Sequence, residues 1–253
     1  MSIATPTAAI RPRDYVAVRG PDAADFLDRM LSNEVTKAPC PALLLTPKAR
    51  VIAPLVVVAR GDDDFLLLTE PGLGEIVRST LLRARFAAKC EIEPEEHTSL
   101  VVFSGEADGI PNLEYGEPAV ELLDAEPPAE VLGDEELERR RIEAGTPRWG
   151  REIDDRVLPA EAGLTETHVS FTKGCYPGQE PIARLHYRGK SNRRLALLEV
   201  DGAPATETEV FDGDRAVGRV TSAVPGLALA YVRTDVPESA ALTVAGSPAR
   251  RRV

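Results

Sequence analysis

The hydrophobic pattern changes character once along this chain, near residues 189–192, and that switch limits the folds open to it. Before it, helical and strand periodicities alternate. After it, residues 195–200, 209–211, 216–221, 228–232 and 242–244 read as short strands. Turns such as Asp212-Gly213-Asp214 divide them, and no helical stretch intervenes. Short strands at that spacing predict a small antiparallel barrel. The chain therefore divides into an α+β body, residues 1–190, and a C-terminal β-barrel, residues 191–253.

Within the body, 15–18 reads as a strand. A helix follows, with Pro21 at its first position, Asp22 and Asp25 in its first turn, and an end near Ser32-Asn33. Phe26, Leu27, Met30 and Leu31 recur on one face of it. Residues 43–46, 51–59 and 65–69 read as strands, with 61–64 as a hairpin turn. A second helix covers 74–88, and 100–104 and 119–123 are further strands. Asp134 is placed to cap a third helix that runs to Ala144 and stops at Gly145.

Several function classes drop out. The longest apolar run, 51–59, is interrupted by Pro54 and falls well short of the ~20 residues that a helical membrane span needs. The opening MSIATPTAAIRPRDY lacks the apolar stretch of a signal peptide. Three cysteines, an odd number without a CxxC pair, fit a reducing compartment, and a cytoplasmic protein is expected. No metal site is expected from the chain alone. The net charge of −11 disfavours nucleic acid as a general partner. Yet 172–194 holds Lys173, Arg184, Arg188, Lys190, Arg193 and Arg194 against one acid, Glu180. That window suits either a solvated surface or a local site for an anion.

The chemistry concentrates in Phe171-Thr172-Lys173-Gly174-Cys175-Tyr176-Pro177-Gly178-Gln179-Glu180. Pro177-Gly178 suits a type II turn, which requires a positive φ at the glycine. The loop thus presents Cys175 between a lysine and a Gln-Glu pair, and a nearby ammonium favours thiolate. Cys40 and Cys90 read as small buried hydrophobes, a role also open to Cys175. His168 and His186 are candidate bases for Cys175 or plain structural histidines.

The octapeptide 173–180 resembles the signature of the YgfZ family, folate-binding relatives of the glycine-cleavage T-protein. Weaker likenesses stand in the family order. They are Gly20-Pro21-Asp22-Ala23-Ala24-Asp25-Phe26-Leu27, Leu31-Ser32-Asn33-Glu34-Val35, Arg141-Ile142-Glu143-Ala144-Gly145, Pro159-Ala160-Glu161-Ala162-Gly163-Leu164 and Gly218-Arg219-Val220-Thr221-Ser222. The resemblance implies ferredoxin-like α/β halves with a small antiparallel barrel, around a central opening for tetrahydrofolate or a folate derivative. It implies iron–sulfur client enzymes or assembly proteins as partners, and Cys175 as the functional thiol. On the same likeness Glu143 bonds the pterin, since a carboxylate accepts two parallel N–H bonds. Lys173 and Arg184 hold the glutamate tail, and Gly174, Tyr176, Gln179 and Glu180 complete the folate-binding set.

Two positions depart from the family pattern. Where the T-protein carries a strand aspartate, this chain has Ala53 and Pro54, which argues against aminomethyl transfer for want of a proton-handling group. Ala49 stands where relatives usually carry glycine. Three readings stay open: a folate-binding factor for iron–sulfur enzymes, favoured; a folate-dependent one-carbon transferase; and a tRNA-binding module that would use the basic window with Tyr176 and Tyr187. Direct nucleic-acid binding is not expected.

Overall fold

The computed structural model describes residues 7–103, 108–116, 118–128 and 130–252. In chain order the body comprises β1 (Thr7–Ile10), β2 (Asp14–Arg19), α1 (Ala23–Met30), β3 (Cys40–Leu45), β4 (Val51–Ala59), β5 (Asp64–Thr69) and α2 (Gly74–Ala84). Then come β6 (Glu91–Glu95), β7 (Ser99–Phe103), β8 (Ile110–Asn112), β9 (Ala119–Leu123), α3 (Asp134–Glu143), α4 (Thr165–His168) and α5 (Gln179–Arg188). The barrel strands are β10 (Arg193–Glu199), β11 (Glu209–Asp212), β12 (Arg215–Val224), β13 (Leu227–Arg233), β14 (Leu242–Val244) and β15 (Ser247–Arg251). Among the described residues no helix is long and apolar enough to cross a membrane.

Strand β4 shows why the body layers as it does. Its residues alternate between the two faces of a five-stranded sheet ordered β3-β4-β5-β2-β6, antiparallel throughout. Ala53, Leu55 and Val57 face α1 and α2, where they pack with Phe26, Leu27, Val77 and Leu81. Val56 and Val58 face the other way, with Tyr15, Leu66 and Leu68, onto Ile110 and Leu123 of a second sheet. That sheet, ordered β1-β7-β9-β8, packs its Val101 and Phe103 against Leu137 of α3. Both faces of the first sheet are therefore buried. An eight-residue helix such as α1 is too short to persist alone; burying Phe26 and Leu27 contributes roughly 1.5–3 kcal/mol each.

The six barrel strands close in the order β10-β13-β12-β11-β14-β15, with β15 returning to β10. This matches the α+β body with a C-terminal barrel expected from the sequence. Ile142 of α3 packs with Val224, Leu227 and Leu229, which fastens the barrel to the body.

Several local expectations need correction. Helix α1 starts at Ala23, so Pro21 precedes it, and the Asp22 carboxylate accepts the Lys89 N–H at 2.7 Å instead of capping its own helix. Gly133, not Asp134, is the N-cap of α3. Helix α2 ends at Ala84, because the chain turns at Phe86 with a φ of 44°. The strand expected over 100–104 ends at Phe103, and Ser104 lies outside the described residues. Strands β1, β6, β8 and β15 and helices α4 and α5 are additions. Ala49 sits at a φ of 58°, so the β3–β4 turn keeps a conformation that glycine adopts more readily.

Candidate functional site

Two sheets, the end of α3 and the first barrel strand converge on a cavity of about 390 Å³. Arg11 and Arg13 enter it from the segment joining β1 to β2. Arg11 donates to Glu70 at 2.7 Å and to Glu114 at 2.9 Å. Arg13 donates to Glu114 at 2.7 Å and to the buried Glu121 at 2.5 Å. Burial works against charge on Glu114, but Arg13 and Arg11 together hold its carboxyl well below the usual range. Arg148 lines the same cavity. Its Nη1 donates to Glu138 at 2.9 Å, while its buried Nε has no partner within the protein. His168 lines it too, and burial lowers its pKa to about 4 against the opposing pull of Glu114. It is a neutral imidazole near pH 7. The wall supplied by β4 is apolar: Pro54, Leu55 and Val56.

The cysteine loop is mounted elsewhere, on a cradle built from residues 28–34. The Ser32 hydroxyl donates to the His168 carbonyl at 2.6 Å, and the Ser170 N–H donates to the Ser32 carbonyl at 2.9 Å. Glu34 accepts from the hydroxyls of Ser170 at 2.9 Å and Thr172 at 3.2 Å. Lys173 turns inward. Its Nζ donates to the carbonyls of Asp28, Leu31 and Asn33 at 2.6, 2.9 and 2.7 Å, and lies 3.1 Å from the Asp28 carboxylate. A cation suits the carbonyl end of α1.

On the other side of the thiol, Tyr176 is buried in the cluster that holds Val51 and Ile182. Gly178 takes a φ of 86°, and a Cβ there would stand 2.7 Å from the Thr46 carbonyl oxygen. The chain is therefore fixed at 170–173 and again at 176–178. Between these anchors Gly174 and Cys175 are exposed.

Of the residues singled out in the sequence, His168 and Cys40 line the central cavity, but neither Cys175 nor any of the expected folate-binding residues Glu143, Lys173, Gly174, Tyr176, Gln179, Glu180 and Arg184 does. Glu143 is exposed at the end of α3, where Arg141 is the inward-facing residue instead. Lys173 has its donors engaged by the carbonyls of Asp28, Leu31 and Asn33, so it is not a free tail anchor; its charge reaches Cys40, whose thiol burial pushes up to about 11. Tyr176 is core, and burial raises its hydroxyl pKa to about 12. Gln179 is half-buried at the start of α5. Glu180 and Arg184 line a different groove, beneath α5. The basic window also disperses: Arg193 pairs with Glu161 and Arg194 with Glu238.

The cavity residues Arg11, Arg13, Glu70, Glu114 and Arg148 escape sequence reasoning, because single charges on separate segments carry no local motif. A buried joint does have one. Arg141, from the Arg-x-Glu-Ala-Gly element, donates to Glu152 at 3.0 Å, and Ser222 of the barrel donates to the same carboxylate at 2.6 Å.

Comparison with known proteins places these features in context. Residues 192–253 match the C-terminal β-barrel domain of CAF17. The human mitochondrial iron-sulfur cluster assembly factor IBA57 is 30% identical over 72% of this chain and 63% of its own length. The tRNA-modifying protein YgfZ of Pectobacterium atrosepticum is 26% identical over 71% of this chain and 66% of its own. Among solved structures, the glycine cleavage system aminomethyltransferase T from Bartonella henselae superposes with a TM-score of 0.85. It covers 99% of this chain and 86% of that one at 18% identity, a likeness of fold.

Proposed function

The chain belongs to the YgfZ/IBA57 family, relatives of the glycine cleavage T-protein, and on that premise we propose that it binds a folate and supports the assembly or repair of iron–sulfur enzymes, among them enzymes of tRNA modification. The observation that carries the folate reading is the central cavity with the unpartnered Arg148 Nε in its wall. Its volume, about 390 Å³, lies within the usual range for small-molecule sites. Its residues fit the ligand's chemistry. Glu70 and Glu114 are acceptors for the N–H edge of a pterin. Arg148 is a donor for the carboxylates of the glutamate moiety, a charge-assisted pairing. When bound, tetrahydrofolate supplies nitrogens that carry one-carbon units.

The apolar β4 wall supports binding over transfer. Pro54, Leu55 and Val56 offer no group to take or give a proton at the ligand. Cys175 is the functional thiol of this reading. It is the exposed cysteine, while Cys40 and Cys90 are buried. Clusters take about four thiolates, so a single exposed cysteine acts as one ligand toward a cluster whose remaining ligands come from the partner. The tRNA-binding alternative loses support, because buried Tyr176 offers no face for a base to stack on.

The test is an anaerobic titration with tetrahydrofolate, followed by thermal shift and by the fluorescence of Trp149, the one tryptophan of the sequence and the neighbour of cavity-lining Arg148. Saturable binding is expected, weakened about tenfold or more in Arg148→Met through loss of the charge-assisted donor and unchanged in Glu143→Ala. Absence of binding by both readouts rejects the folate reading. Cys175→Ala should bind folate normally yet fail to restore an iron–sulfur enzyme in a host lacking this protein. Full restoration would remove the thiol from the mechanism.

A further inference from the structure

A second hollow, about 800 Å³, runs beneath α5 and shares no lining residue with the central cavity. Its apolar wall includes Leu158, Pro159, Pro181 and Leu185. Arg184 and Arg188, one helical turn apart, line it as well. Both are exposed, and among the described residues neither makes a hydrogen bond or ion pair. Lys190, just past the helix, is in the same state, as is Lys48 beside the groove-lining Ala49. These cations gather at one groove of a chain whose net charge is −11.

We propose that this groove docks an extended acidic peptide segment of a partner protein, with apolar side chains between its carboxylates. The spacing fits. Residues four apart on a helix are separated by about 6 Å along its axis. Side chains two apart on one face of an extended peptide are separated by about 6.6 Å. Alternate carboxylates therefore reach Arg184 and Arg188 while the intervening apolar residue meets the wall. Glu180 lies two turns before Arg188 on the same lining stripe, so the acidic stretch runs toward Gly189.

The alternative of an RNA strand fits less well. Its phosphates would lie along an apolar wall, and its bases find little to stack on. Phe171 and His186 already stack on each other at 4.1 Å, and Tyr187 sets its ring edge-on to both, at 6.0 and 4.8 Å. The proposal deepens the partner half of the function above by giving the partner's contact its chemistry. Glu180, which lines the groove, follows Cys175 by five residues in the chain.

The probe is a display library of random peptides about a dozen residues long, selected on the full-length protein. Enriched peptides are measured by fluorescence anisotropy against wild type and Arg184→Glu/Arg188→Glu. The expected result is enrichment of alternating acidic and apolar residues, with affinity falling about tenfold or more in the double variant, as loss of two close charge pairs implies. The unfolding midpoint should be unchanged, because both side chains are exposed and unpaired. Peptides without acids, equal binding by the double variant, or no enrichment at all would overturn the proposal. So would preferential retention of a random RNA pool that the double variant loses. None of these outcomes touches tetrahydrofolate binding, so failure here is distinguishable from failure of the folate reading.

Discussion

Lys173 fastens the cysteine loop to the body through three carbonyls at and just past the end of α1. Lys173→Met would leave the Asp28 carboxylate without its cation and three carbonyls without their donor, which costs roughly 3 kcal/mol. Urea unfolding measures that loss. Lys173→Arg should recover little of it, since a planar guanidinium cannot replace one nitrogen pointing at three carbonyls. His168 yields a pH dependence whose sign is fixed. Its folded pKa, about 4, lies below the ordinary 6.5. Between those values the unfolded chain binds a proton that the folded one refuses, so stability falls as pH drops from 6.5 toward 4. The loss approaches about 3 kcal/mol at most and is smaller to the extent that solvent reaches the ring. His168→Asn should flatten that part of the stability-versus-pH curve; an unchanged slope would show that other groups set it.

Gly178 lets the element that follows the thiol begin where it does. A side chain there must hold a left-handed conformation and displace the Thr46 carbonyl. Gly178→Ala should therefore cost at least about 2 kcal/mol, read as a lower unfolding midpoint together with altered maleimide labelling of Cys175. The type II turn at this glycine was legible because its geometry is local: Pro177 and a left-handed glycine suffice. The strands around β4 were legible for a similar reason, since short apolar runs bounded by turns mark strands buried on both faces. Helix α5 was not. Pro181 in its first turn, directly after Pro177-Gly178, reads as continued loop, and Ile182 is its one buried residue. Strand β6 was equally hidden. It is an edge strand whose acids shield its rim, so it read as an acidic run with Ile92 as its one buried residue. The cavity was least legible of all. The Arg11–Glu114 pair that frames it spans 103 positions, and no local pattern encodes a contact of that separation.

At the scale of the whole molecule, the buried Glu152 joins barrel to body. One oxygen accepts from Arg141 of α3 and from the Arg148 N–H, each at 3.0 Å. The other accepts from Ser222 of β12, and Tyr231 of β13 donates to the Glu152 carbonyl at 2.8 Å. The side chains of Glu152 and Arg141 are 0% and 1% exposed. Removing the acid thus strands a buried cation that retains Glu138 alone as a carboxylate partner. Glu152→Ala should cost about 3–5 kcal/mol, while Ser222→Ala, which deletes one donor, should cost about 1 kcal/mol. The form of unfolding should change as well. Leu195, on the first barrel strand, lines the central cavity, so the cavity is complete only while the barrel is docked. If Glu152 holds that docking, Glu152→Ala should weaken tetrahydrofolate binding with no change in any cavity-lining residue. Saturating folate should then raise the unfolding midpoint of the variant by pulling the barrel back against the body. Calorimetry with and without tetrahydrofolate reads both effects. A variant that unfolds in one transition and binds as tightly as wild type would show that the barrel's apolar contacts with α3 hold the joint without the acid.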